Sequence, residues 1–182
     1  MEEAPKIGRP LLLVAGTDGK APRVYERTIS VKLIDHGELA IHVLASLQDI
    51  EHSFQAEMIV DVESGRIERA IAVMARRPYE TLCLHALDTV QRLEGQIIGR
   101  GINRRIVDLV GKTQGCVHLV EIFQAAVGFT ATILIGRRTG LRDDPKKTEF
   151  ENRELWFPVL KGSCQVFRED TPATAPGGKT RG

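Results

Sequence analysis

The sequence has little of several features that mark specialised classes of protein. Aromatic residues make up 5% of its 182 residues, and the 25 basic residues barely exceed the 24 acidic ones. Because affinity for nucleic acid comes largely from a basic excess, this balance argues against a nucleic-acid-binding protein. No uninterrupted apolar run approaches the roughly 20 residues that a helix needs to cross a bilayer. We therefore expect neither a nucleic-acid partner nor a membrane partner.

Cysteine is also scarce and occurs only at Cys83, Cys116 and Cys164. An odd number of cysteines suits a reducing compartment better than a disulfide framework. The apolar stretch at residues 11–15 is too short for the hydrophobic core of a secretory signal. These features predict a cytoplasmic protein. Cys164 has no nearby histidine and is expected to be incidental.

Two hydrophobic patterns divide the chain into strands and helices. Apolar residues alternate with polar ones on both sides of short turns at residues 35–38 and 64–65, which predicts two β-hairpins within residues 23–75. After Pro78 the apolar spacing becomes helical. The predicted helices occupy residues 79–93, 101–111 and 116–131. Strands followed by helices predict an α+β fold, in which about three helices pack on one face of an antiparallel sheet.

Composition also suggests how the chain is divided. Residues 1–22 are rich in proline and glycine and form a predicted N-terminal arm. Residues 23–136 make up the α+β core domain. Residues 137–170, which include Trp156, form a predicted C-terminal docking segment. Residues 171–182 have the composition of a disordered tail.

Two cysteines are predicted to lie near helix starts, Cys83 at the first helix and Cys116 at the third. The positive end of the helix dipole favours a thiolate there, and both metal ligation and nucleophilic attack need a thiolate. A histidine follows each cysteine by two residues, at His85 and His118. Residues i and i+2 of a helix point in nearly opposite directions, so a pair can share one ion only if the cysteine bends back at the N-cap. Gly115 makes this bend easier for Cys116, whereas His85 is expected to lie on the surface or to pack.

Three short motifs follow one another along the presumed core: PYETLC at residues 78–83, LEG at residues 93–95 and GCVHL at residues 115–119. In combination they resemble the bacterial domain-of-unknown-function family 2889, over about residues 25–135. This resemblance identifies the residues that matter, and it implies no particular activity.

The order of strands, helices and cysteines is also similar, more distantly, to the iron–sulfur cluster scaffold family, the NifU N-terminal and IscU-like domains. Those scaffolds have a three-stranded antiparallel sheet followed by helices, and they hold zinc or a nascent cluster with three cysteines plus histidine or aspartate. The resemblance aligns Cys83 with the second scaffold cysteine and Cys116 with the third. His118 stands in for the scaffold histidine, and His52 or Asp49 stands in for the first cysteine.

This second resemblance implies a metal site with the ligands His52, Cys83, Cys116 and His118. Two thiolates and two imidazoles suit tetrahedral Zn²⁺, and they are compatible with an iron–sulfur cluster of mixed ligation. The expected cofactor is therefore zinc or an iron–sulfur cluster. We interpret the protein as a metal- or iron–sulfur-binding module that acts with a protein partner, rather than as a cluster assembly scaffold.

Two other interpretations stay open. In one, the protein is a cysteine-dependent or metal-dependent enzyme, with Cys116 as nucleophile and His118 or His52 as base. In the other, the cysteines only pack in the core, as cysteines commonly do, and the protein is a structural interaction domain. That domain would dock through the exposed face of its sheet or through the segment around Trp156. The sequence leaves the oligomeric state open.

Overall fold

The computed structural model describes residues 25–35 and 39–170 and confirms the predicted α+β class. Its four strands form one antiparallel sheet in the order β1-β2-β3-β4. They are β1 (Thr28–Asp35), β2 (Ala40–Gln48), β3 (Ser53–Asp61) and β4 (Ile67–Arg76). The predicted N-terminal arm at residues 1–22, the predicted tail at residues 171–182 and turn residues 36–38 lie outside the described residues.

The alternation of apolar residues sets which face of the sheet is buried. In β2 and β3 every second side chain enters the core, and the strand register places Leu47 opposite Phe54 and Val43 opposite Met58. A one-residue slip would turn all of these side chains toward the other face, so the pattern excludes that slip. The buried side chains of the two strands are Ile41, Val43, Ala45, Leu47, Phe54, Ala56, Met58 and Val60.

The first helical segment differs from the predicted α-helix over residues 79–93. Residues Leu82–Leu93 instead form a 3₁₀ helix. Its buried residues come in pairs three apart, Ala86 with Thr89 and Val90 with Leu93, and side chains three apart eclipse one another in a 3₁₀ helix. The hydroxyl of Thr89 donates to the Ala86 carbonyl at 2.7 Å, a bond with the same spacing. The neighbouring β-branched residues Thr89 and Val90 also lower α-helical propensity.

Two α-helices follow; the second of them and the 3₁₀ segment cover the sheet, and the first packs against both. Helix α1 (Ile102–Val110) lies within the predicted residues 101–111, and α2 (Val117–Thr139) begins as predicted and extends beyond residue 131. α2 packs on β1, β2 and α1, while the 3₁₀ segment packs on β4 and α1. Gly140, in the left-handed conformation with φ +66°, ends α2.

α2 is long and apolar enough to cross a membrane, with a mean hydropathy of 1.7 over its most apolar window. The polar residues within the helix explain why the sequence shows no uninterrupted apolar run of that length. A buried core helix has the same length and composition, and the contacts of α2 are those of a core helix. Its buried residues are Leu119, Val120, Ile122, Phe123, Ala126, Val127, Thr130 and Leu134.

A third helix, α3 (Glu149–Leu160), occupies the predicted docking segment. A capping box starts it: the Glu151 N–H donates to the Thr148 hydroxyl, and the Thr148 N–H donates to the Glu151 carboxylate. The buried Arg153 donates to the carbonyls of Val166 and Arg168, which holds α3 against the short 3₁₀ turn Gln165–Phe167. The docking role of this segment stays a prediction.

Candidate functional site

The site begins at the turn between β2 and β3, residues 49–52, which we call the β2–β3 turn. Asp49 shapes this turn because its Oδ1 accepts hydrogen bonds from the backbone N–H groups of Glu51 and His52, both at 2.8 Å. Arg76 donates to the carbonyls of Asp49 and His52 from the neighbouring end of β4. The turn is therefore tied down on both its side-chain and its backbone atoms.

Asp49 also fixes the imidazole of His52, whose Nδ1 lies 2.8 Å from Asp49 Oδ1. An ionised carboxylate can only accept, so Nδ1 carries a proton and Nε2 is the nitrogen left to bind another group. Burial would raise the pKa of Asp49, but hydrogen bonds from His52, the Glu51 N–H and Arg27 outweigh it and hold that pKa well below its usual range. Asp49 thus orients the ring of His52 with Nε2 directed away from the carboxylate, as carboxylates commonly do for a metal-binding or general-base histidine.

His118 comes to the same place from the first turn of α2. Its partner Cys116 is the N-cap residue of that helix, and the Cys116 N–H donates to the Val110 carbonyl at 2.9 Å. Gly115 permits this path, since a Cβ there would lie 1.9 Å from the Val110 carbonyl oxygen. The bend that brings Cys116 back toward His118 leaves Cys116 Sγ 3.6 Å from His118 Nδ1.

The hydrogen bonds of His118 indicate which nitrogen carries its proton. Nε2 lies 3.1 Å from Arg27 Nη2, and because a guanidinium can only donate, Nε2 accepts. The proton of the neutral ring is then on Nδ1, facing the Cys116 sulfur. Burial lowers the pKa of His118, and the charges of His52 and Arg27 lower it further. His118 therefore favours the neutral form, the form in which imidazole binds metals.

The two imidazoles lie against each other over an apolar floor. Their ring centroids are 3.9 Å apart with an angle of 39° between the planes. The buried ring of Phe54 meets both edge-on, with centroid distances of 5.3 Å to His52 and 5.9 Å to His118. Phe54 thereby shields one side of the pair from water.

Arg27, just before β1, provides the positive charge of the site. Its Nε and Nη2 contact Asp49 Oδ2 at 2.9 and 2.8 Å. Its Nη1 contacts both carboxylate oxygens of Glu121 at 2.8 and 3.1 Å. One guanidinium therefore joins the start of β1, the β2–β3 turn and α2.

Asp49, His52 and His118 form what we call the Asp-His-His cluster. One ligand atom from each of these residues lies within 4.8 Å of the others, and none of the three side chains is fully exposed. Within residues 25–35 and 39–170 this is the one group of three or more such residues close enough to hold a metal ion. An oxygen and two nitrogens are donors suited to zinc and related first-row metals.

A model of the family described as Protein of unknown function (DUF2889) matches residues 25–131. The chain belongs to this family. The predicted resemblance to the domain-of-unknown-function family is thus confirmed. The DUF2889 region contains every residue of the site, namely Arg27, Asp49, His52, Cys116, His118 and Glu121.

No curated protein and no solved structure matches the chain. The more distant resemblance to the iron–sulfur cluster scaffolds therefore has no support from these comparisons. The sheet also has four strands, where the scaffolds have three. Membership of the DUF2889 family is the relationship that the comparisons show.

The structure brings two of the four predicted metal ligands, His52 and His118, into the Asp-His-His cluster, and Cys116 contacts His118 without belonging to that cluster. His52 and His118 are in ring contact, and Cys116 lies beside His118. Cys83, the second residue of the 3₁₀ segment, is half-buried against the core and is not in the Asp-His-His cluster of the described chain. The predicted four-residue set stays a prediction.

Sequence reasoning named neither Arg27 nor Glu121 as part of the site. Glu121 could have been found, because it lies three residues after His118 and shares its face of α2. Arg27 gives no such local signal, since its partner Glu121 is 94 residues away. The sequence offered Asp49 as an alternative ligand to His52, whereas in the structure both residues belong to the Asp-His-His cluster.

Proposed function

We propose that this protein binds a divalent transition-metal ion, Zn²⁺ above all, between the β2–β3 turn and the start of α2. The supporting observation is the convergence of the Asp-His-His cluster within 4.8 Å. Ligand atoms of a tetrahedral zinc site lie roughly 3.4 Å apart when each bond is about 2.0–2.1 Å. A modest inward movement of these side chains is enough to complete such a site.

We assign Cys116 as the fourth ligand. Its sulfur lies 3.6 Å from His118 Nδ1 and outside the group of ligand atoms within 4.8 Å of one another, so the thiol must turn toward the Asp-His-His cluster to bind a metal held by His118 Nε2. Four protein ligands make a closed site, of the kind that supports structure or storage, whereas catalytic zinc keeps a position open. The donor set thus favours a binding module over a metal-dependent enzyme.

The same donor set favours zinc over an iron–sulfur cluster. Cluster irons are held mainly by thiolates, and a single thiol accompanies the imidazoles here. Cys83, Cys116 and Cys164 form no disulfide with one another, and we propose a cytoplasmic location. We propose that the zinc-binding module works with a protein partner, as the sequence suggested.

Direct titration tests this function. The purified full chain is stripped with a chelator and titrated with Zn²⁺ against a chromophoric competitor, and bound metal is counted by elemental analysis. We expect one zinc per chain and a loss of binding in His52→Ala and His118→Ala. His85→Ala and Cys83→Ser remove the same residue types outside the cluster and should bind as the unchanged chain does. A chain that binds no stoichiometric zinc would refute the proposal, as would His52→Ala and His118→Ala variants with unchanged affinity.

A second function is favoured by the contact between Cys116 Sγ and His118 Nδ1. A thiol beside an imidazole, with a second imidazole oriented by Asp49, is also an arrangement for nucleophilic catalysis. Alkylation with iodoacetamide separates the two functions. If the site binds zinc, added Zn²⁺ protects Cys116 and a chelator restores its reactivity. If Cys116 is a catalytic nucleophile, its reactivity is high and indifferent to both.

A further inference from the structure

Arg27 lies between the two carboxylates of this site, those of Asp49 and Glu121. All three guanidinium nitrogens are engaged: Nε with Asp49, Nη1 with Glu121 and Nη2 with both Asp49 and His118. The distances, 2.8 to 3.1 Å, are those of charge-assisted hydrogen bonds. Asp49 and His118 are thus bound to a cation that belongs to the protein itself.

The atoms that Arg27 holds are also atoms that a metal ion would need. Arg27 Nη2 donates to the lone pair of His118 Nε2. Arg27 also contacts Asp49 through Oδ2, whereas the N–H groups of the β2–β3 turn donate to Asp49 Oδ1. A nitrogen lone pair that accepts from an N–H cannot bind a metal at the same time. A guanidinium and a divalent ion this close together would also repel each other.

The charges of the site lead to the same conclusion. Asp49 and Glu121 contribute two negative charges. Arg27 balances one of them, whereas a divalent cation balances both. The negative charge of the carboxylates can therefore be compensated by the Arg27 guanidinium or by a metal ion, but the two cations do not fit together in the site.

We infer that the Arg27 guanidinium and the metal ion are alternative occupants of one site, so that Arg27 is a built-in competitor that must be displaced for metal to bind. This inference rests on the proposed function and adds its regulation. Displacement has a structural consequence, because Arg27 is the residue that fastens the chain before β1 to the β2–β3 turn and α2. Metal binding thus releases residues 25–27 from the body of the domain.

Zinc titration of Arg27→Ala and Arg27→Gln tests the competition. Removing the competitor should tighten Zn²⁺ binding by about tenfold or more, a typical size for coupling between two binding events. Lys32→Ala is the matched control, since it removes an exposed cation from the same end of the chain without touching the cluster. Its zinc affinity should stay within about twofold of the unchanged chain. Urea unfolding of each variant verifies that it is folded.

Hydrogen exchange of the unchanged chain provides a second readout. We expect saturating Zn²⁺ to increase exchange at residues 25–28 while it decreases exchange in the β2–β3 turn. Equal or weaker binding by both Arg27 variants, with the losses in His52→Ala and His118→Ala intact, would overturn the competition and leave the zinc site standing. Increased protection of residues 25–28 on zinc binding would also overturn it. Absence of zinc binding in every variant would remove the proposed function itself.

Discussion

His52 and His118 are in ring contact, 3.9 Å between centroids, although one belongs to a β-turn and the other to the first turn of a helix. Each ring has a different partner on its Nδ1 atom: the Asp49 carboxylate for His52 and the Cys116 sulfur for His118. The hydrogen bond from Arg27 to His118 Nε2 indicates a neutral imidazole for His118. A neutral imidazole can bind a cation that an imidazolium ring would repel.

Asp49→Asn should weaken zinc binding by about 10- to 100-fold, the usual effect of altering a partner that orients a metal-binding histidine. The amide keeps the shape of the side chain but loses the charge that holds the His52 tautomer and attracts the metal. Zinc competition titration measures the effect. Glu51→Gln, on the same turn but outside the cluster, is the charge-matched control and should change the affinity little. Equal affinities for the two variants would contradict the role given to Asp49.

Cys116 and Cys83 should respond differently to zinc. Both are half-buried thiols, but of the two it is Cys116 that contacts His118. Saturating Zn²⁺ should slow alkylation of Cys116 by about tenfold or more and leave Cys83 unaffected, because a ligated sulfur is no longer a nucleophile. Mass spectrometry of alkylated peptides gives both rates in one sample. Equal protection of the two thiols would instead restore Cys83 to the ligand set.

His118 should make the stability of the protein depend on pH. Its folded-state pKa is lower than the ordinary value of 6.5, so the folded chain binds a proton there less readily than the unfolded chain does. The stability contributed by the neutral ring is therefore fully present above pH 6.5 and is lost as the pH falls toward the lowered pKa.

Urea unfolding at a series of pH values, without metal, measures this effect. His118→Gln should flatten the decline in the free energy of unfolding between about pH 7.5 and about pH 5, whereas His85→Gln should not. A decline that is the same in His118→Gln and in the unchanged chain would show that other groups cause it.

Gly115→Ala should destabilise the protein and disturb the site together. The new Cβ would lie 1.9 Å from the Val110 carbonyl oxygen, so the backbone before Cys116 must move. We expect a loss of about 3 kcal/mol or more in the free energy of unfolding, together with weaker zinc binding. Gly128→Ala is the matched control, because a Cβ in that part of α2 meets nothing within 4 Å. It should stabilise the protein by roughly 0.5–1 kcal/mol, and a similar result for Gly115→Ala would contradict the crowding at Val110.

Much of the fold could be predicted because its main signals are local. The two alternating runs in β2 and β3 predict both the strands and their buried face, whereas the register that places Leu47 opposite Phe54 comes from the structure. The start of α2 could also be predicted, from Gly115 and the apolar spacing after it. The 3₁₀ form of Leu82–Leu93 could not be predicted, because apolar residues three and four apart suit both a 3₁₀ helix and an α-helix. The sequence of α3 contains a capping box at Thr148 and Glu151, but it has few apolar residues at helical spacing, so the helix was not predicted.

The site was only partly predictable because its parts come from distant segments. The spacing of Cys116 and His118 indicated a local pair, and the structure confirms their contact. The approach of His52 depends on where the β2–β3 turn lies relative to α2, and periodicity along the chain does not determine this. The same limit applies to Cys83, which lies at a helix start as predicted but packs against the core.

The ion pair between Arg27 and Glu121 also bears on how the site comes into being during folding. The two residues are 94 positions apart, so their contact requires the whole sheet and α2 to be in place. Closing so long a loop costs entropy that only the packed core can offset. The hairpins and helices can form earlier from their own local contacts. The site is therefore among the last parts of the molecule to assemble, and an incompletely folded chain presents its histidines and thiol separately.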